Sequence, residues 1–224
     1  MILPPFADWE SPTDHPALGL GEVHLWRASL ITAEDHSSLL SPSELLRAES
    51  FHFPQDRARF IAGRGLLRSI LGRYLNVEPR ELQFTHGPHG KPELTGAGYS
   101  LRFNLSHSGD LMLLAVSHAH EVGVDVEQVR EGLNTDELAA SYFAHAEAEA
   151  LRHLPDAERT LRFFELWTAT EARLKASGDG LANGTTIINP DRWSLLSLTP
   201  ADGYAAALAV EGAEFALTCW TWPK

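Results

Sequence analysis

An α+β fold of two similar-sized lobes is predicted for this 224-residue chain by three observations. Helical periodicity is confined to a few stretches, the strands are joined by links too short for crossover helices, and both halves carry helices and strands together. No 20- to 50-residue repeat runs through the chain, so a solenoid is excluded. The expected division is an N-terminal lobe over 1–117 and a C-terminal lobe over 118–224.

Pro4, Pro5, Pro12, Pro16, Gly19 and Gly21 make 1–21 an irregular arm before a strand at 22–28. Ser41-Pro42-Ser43-Glu44 joins a capping hydroxyl, a proline at the first helical position and a glutamate three residues after the cap, so a short helix starts there. From 55 to 75, Phe60, Leu67, Leu71 and Tyr74 recur on one helical face beside a stripe of Arg57, Arg64 and Arg68. Strands at 101–105, 111–117 and 121–126 follow so closely that they predict an antiparallel meander. Helices over 134–154 and 156–177, then strands at 193–198, 204–210 and 215–222, complete the chain.

The formal net charge of −12 excludes a generally basic nucleic-acid binder, because affinity for a polyanion comes from neutralised phosphates. Charge is nevertheless segregated: between 47 and 80 seven arginines face three acids. Cys219 is the single cysteine, so no intramolecular disulfide forms, and a buried position in a C-terminal strand is expected. The opening residues lack a leader pattern and the longest apolar run, Leu111 to Val116, is too short to cross a bilayer; a cytoplasmic protein is expected.

Four segments could carry chemistry. In Val122-Gly123-Val124-Asp125-Val126-Glu127 the period of two turns the valines to one face and sets Asp125 beside Glu127 on the other. Such paired carboxylates suit a divalent cation with oxygen ligands, as Mg²⁺ is, or simply a solvated strand face. Glu171 and Lys175 are four apart on one helix and share a face, as a metal-and-phosphate pair or as a surface ion pair. Phe103-Asn104-Leu105-Ser106-His107-Ser108 offers an imidazole and hydroxyls; Ser106 and His107 point to opposite faces of an extended chain, so a Ser-His dyad is not expected. Gly87-Pro88-His89-Gly90-Lys91-Pro92 lacks phosphate-loop spacing but holds Lys91 in a stiff turn. The pairs His86/His89 and His118/His120 have no third matched ligand for zinc.

In this order, Gly90-Lys91-Pro92, Phe103 to Ser108, Gly123 to Glu127 and Trp167-Thr168-x-x-Glu171-Ala172-x-x-Lys175-Ala176 resemble the 4′-phosphopantetheinyl transferases of the Sfp type, over about 57–180. The length fits the family's two-lobed, pseudo-dimeric branch, which implies lobes related by a pseudo-two-fold axis and activity as a monomer. The resemblance implies transfer of the phosphopantetheine arm of coenzyme A to a serine of an acyl or peptidyl carrier protein, releasing adenosine 3′,5′-bisphosphate. It further implies Asp125, Glu127 and Glu171 as ligands of Mg²⁺, with Glu171, or Glu127 through a water, as proton acceptor. Lys175 would contact the diphosphate, and Arg59, Lys91, Ser106 and His107 would grip the adenosine end. Thr170 stands where many members carry lysine, which suggests either compensation by a nearby arginine such as Arg173 or weaker coenzyme A binding. It also raises the alternative of a non-catalytic module that binds coenzyme A or a carrier protein.

Overall fold

The computed structural model describes residues 8–12, 15–87, 90–96, 100–178 and 190–223. Its elements are β1 (Trp9–Glu10), β2 (Glu22–Ser29), α1 (Pro42–Glu49), α2 (Pro54–Leu75), β3 (Gln83–His86), β4 (Pro92–Thr95), β5 (Arg102–Ser108), β6 (Leu111–Ser117), β7 (Val122–Gln128), α3 (Thr135–Tyr142), α4 (His145–Arg152), α5 (Asp156–Ser177), β8 (Trp193–Leu198), β9 (Tyr204–Glu211) and β10 (Ala216–Thr221).

Each half repeats one plan: a strand, a 22-residue helix, and a hairpin whose second strand inserts beside the first. The first half is ordered β2-β6-β5 and the second β7-β9-β8, all antiparallel. The mixed α+β architecture is therefore as the sequence predicts. β10 returns from the end of the chain to lie parallel to β2, and β1 lies parallel to β10, so the first sheet has five strands.

Burial explains the layering. Trp26, Ala28, Met112, Leu114 and Val116 pack under α2. The alternate residues Val23, Leu25, Leu113 and Ala115 pack against Val122, Val124, Val126, Leu208 and Val210 of the second sheet. Ala205, Ala207 and Ala209, on the outer face of β9, lie in clusters with α5 side chains. The order is helix, sheet, sheet, helix. Both faces of β6 are covered, which is why Leu111 to Val116 reads as an unbroken apolar run.

Four expectations change. The meander holds for β5 and β6, but β7 pairs with β9 instead of β6, because its valines are needed between the two sheets. The helix expected over 134–154 breaks at Phe143, whose extended backbone lets its ring meet Phe163 at 5.5 Å; Glu147 then caps the Ala144 amide to start α4. Phe60 lies at the edge of the α2 face, against Phe51, and the core positions are Ala62, Leu66, Leu67, Ile70 and Leu71. Finally, the arginine stripe is not a bare cationic flank. Arg68 is 2% exposed and, with Arg64, clamps Glu44, whose second task is to complete the α1 capping box at Ser41. Cys219 is buried in β10, as expected. Among the described residues no helix is long and apolar enough to cross a membrane.

Candidate functional site

The face of β7 opposite its valines is covered by α5. Gly123 allows this approach: a Cβ there would lie 2.1 Å from the Ala172 carbonyl oxygen and 2.3 Å from the Ala176 nitrogen. With the helix so close, Asp125 is 3% exposed and meets Lys175 Nζ at 2.6 Å. A solvated strand face is thereby ruled out.

Ser106 lies between them. Its hydroxyl donates to Asp125 Oδ1 at 2.8 Å and accepts from Lys175 Nζ at 3.0 Å. Asp125 Oδ2 is buried without a hydrogen-bond partner. Glu127, two residues on, accepts from Ser108 Oγ at 2.7 Å. Burial raises its carboxyl above the usual range, as does Asp125, against the pull of Ser108, Arg130 and Lys175. Glu171 is likewise raised, first by burial, with Asp125 and Glu127 adding repulsion and Lys175 opposing. Glu127 and Glu171 thus both feel Asp125 and Lys175, which sets the three carboxylates in one neighbourhood around that ion pair. His107 keeps access to solvent, yet the protein packed around it holds its ring below the usual histidine range, with Lys175 and Arg59 repelling a proton.

Not every predicted residue points the same way. Arg59 is tied to Asp110 in the β5–β6 turn at 2.8 Å and to Asp56 at 3.5 Å. Lys91 reaches the Val122 carbonyl at 3.4 Å and Glu121 and the Ala176 carbonyl at 3.5 Å, at the end of β7 away from Glu127. The Thr170 hydroxyl donates to the Leu166 carbonyl of its own helix at 2.9 Å, so it is no substitute donor. Arg173 lies two residues from Glu171, about 200° round the helix, and cannot compensate on that face. His89 falls outside the described residues.

As they stand, no three Asp, Glu, His or Cys side chains among the described residues are grouped to hold a metal ion; the cation beside Asp125 is Lys175. The donor set still suits a hard divalent cation, since it is all carboxylate and one buried oxygen, Asp125 Oδ2, has no partner. Asn104 and Ser108 stand in a quoted motif but receive no role of their own from the sequence, and Asp110 and Arg130 carry no signal there; what each does depends on what β5, its turn and β7 meet across the fold. Cavities of about 510 and 540 Å³ lie beside α4 and at the end of α2, and neither is lined by these carboxylates.

Removing Lys175 strands a buried carboxylate. Losing one partner of a fully buried pair costs roughly 3–5 kcal/mol, and the partial exposure of Lys175 reduces this. Lys175→Ala is expected to lower the unfolding free energy by about 2 kcal/mol, and adding Asp125→Asn should recover most of it in urea titrations.

Comparison with known proteins matches residues 24–119 to a family model described as 4′-phosphopantetheinyl transferase, N-terminal, and residues 121–219 to one described as the 4′-phosphopantetheinyl transferase superfamily. The chain is 45% identical over 209 residues to 4′-phosphopantetheinyl transferase HetI of Nostoc sp., covering 85% of this chain and 88% of that protein. It is 40% identical over 178 residues to 4′-phosphopantetheinyl transferase AcpT of Salmonella typhimurium, covering 77% and 86%. With 4′-phosphopantetheinyl transferase Sfp of Bacillus subtilis the identity is 28% over 149 residues, covering 66% and 65%.

Proposed function

The chain belongs to the 4′-phosphopantetheinyl transferase superfamily, and on that premise we propose how its residues share the work. It transfers the 4′-phosphopantetheine arm of coenzyme A to a carrier protein. The acceptor is a serine hydroxyl, whose oxygen displaces adenosine 3′,5′-bisphosphate from the pantetheine-side phosphorus.

The observation that carries the residue assignment is the buried Asp125–Lys175 pair beneath α5, with Glu127 two residues along β7 and Glu171 one helical turn before Lys175. Asp125, Glu127 and Glu171 are the ligands of Mg²⁺ in this reading. When bound, Mg²⁺ would offset the charge of the diphosphate while the phosphorus–oxygen bond breaks. Glu171, or Glu127 through a water, accepts the serine proton. Lys175 contacts the diphosphate. His107, Ser106 and Arg59 hold the adenosine end, with Arg59 aimed by Asp110, whereas Lys91, at the opposite end of β7, is too far from Arg59 to grip the same end.

The non-catalytic alternative is not favoured, because carboxylates and ammonium are all retained. Both halves of the site come from one chain, so the reading is of a monomer. The test incubates the protein with coenzyme A, Mg²⁺ and apo carriers of several classes and reads intact carrier mass. One added arm on one serine is expected; no adduct on any carrier would overturn the reading.

A further inference from the structure

β5 and β7 run side by side without a backbone ladder between them, and side chains supply one instead. Asn104 Oδ1 accepts the Val124 amide at 2.8 Å, Ser106 Oγ the Val126 amide at 3.4 Å and Ser108 Oγ the Gln128 amide at 3.1 Å. Every second residue of β5 therefore satisfies an amide on every second residue of β7, whose donors would otherwise be orphaned along that edge.

The two serines do more. Each returns its proton to the carboxylate one residue before the amide it binds, Ser106 to Asp125 and Ser108 to Glu127. Asn104 has no such partner, because the corresponding residue is Gly123. A hydroxyl has one proton. Once its oxygen is held by the Gln128 amide, the Ser108 proton is directed at Glu127 Oε2, 2.7 Å away, and that carboxylate oxygen is fixed in turn.

We propose that Ser108 is a positioning residue of the transfer reaction: it occupies Oε2 of Glu127 and leaves Oε1 for the cation. This rests on the metal-ligand reading of Glu127 given above. A hydrogen-bonding partner behind a metal ligand is typically worth about 10- to 100-fold in metal affinity or activity.

The experiment compares wild type, Ser108→Ala, Ser108→Thr and Asn104→Ala. Transfer rate is titrated against Mg²⁺, Mg²⁺ binding is measured by calorimetry in the presence of coenzyme A, and thermal denaturation reports the seam. Ser108→Ala should need about 10-fold more Mg²⁺ for half-maximal rate and bind it correspondingly more weakly. Ser108→Thr, which keeps the hydroxyl, should restore both. Asn104→Ala should lower the melting temperature and leave the Mg²⁺ requirement unchanged. An unchanged Mg²⁺ requirement in Ser108→Ala, failure of Ser108→Thr to restore it, or an equal rise in Asn104→Ala overturns the proposal. A wild type that transfers nothing sinks the reading of function, and the calorimetric comparison then still decides the role of Ser108.

Discussion

Glu171→Gln is expected to slow carrier modification about a thousandfold, within the range for loss of a general base, while making the protein more resistant to heat at neutral pH. The two effects share a cause. Glu171 has no hydrogen bond or ion pair among the described residues, and burial together with Asp125 and Glu127 pushes its carboxyl above 4.5. The folded chain thus holds this proton more tightly than the unfolded chain does. As pH rises through 4.5 toward the raised value, the unfolded state ionises first and stability falls; below that window the penalty disappears. Glutamine removes the charge and keeps the shape. Scanning calorimetry should therefore show the variant melting above wild type at pH 7 and level with it near pH 4. A variant that loses activity and also melts lower at pH 7 would identify Glu171 as structural instead.

Gly123→Ala is expected to abolish activity by another route. Its Cβ would meet three backbone atoms of α5, at 2.1, 2.3 and 2.9 Å, and a helix backbone has no rotamer with which to yield. Overpacking usually costs about 1–3 kcal/mol, with flexible side chains absorbing part of the strain. Here α5 must move as a body away from β7, so at least about 3 kcal/mol is expected, seen as a lower denaturation midpoint and reduced soluble yield. The same movement would part Lys175 from Asp125, joined at 2.6 Å, and Glu171 from both strand carboxylates. Restored stability in stabilising osmolyte without restored transfer would separate the catalytic loss from simple unfolding.

Glu44 illustrates how charge that looks functional can be architectural. The arginine excess of α2 suggests a docking flank for an anion, yet two of its members are spent on one buried glutamate. The electrostatic case for nucleotide binding therefore shifts to Arg59 and Lys175 around His107, whose protonated form is disfavoured first by burial and then by these two cations.

Local sequence determined a good deal by itself. The Val-x-Val-x-Val alternation fixes which side of β7 bears Asp125 and Glu127, the four-residue spacing puts Glu171 and Lys175 on one helical face, and the capping box starts α1 where Ser41 stands. Each of these is a short-range property, set by strand pleat, helix pitch or hydrogen bonds within a turn. Only the tertiary structure decided that β7 leaves β6 for β9 and that Ser106 and Ser108 of β5 hold the strand carboxylates. Those outcomes depend on burying both faces of two sheets at once and on satisfying amides at the edge between them, and no spacing along a single segment encodes either.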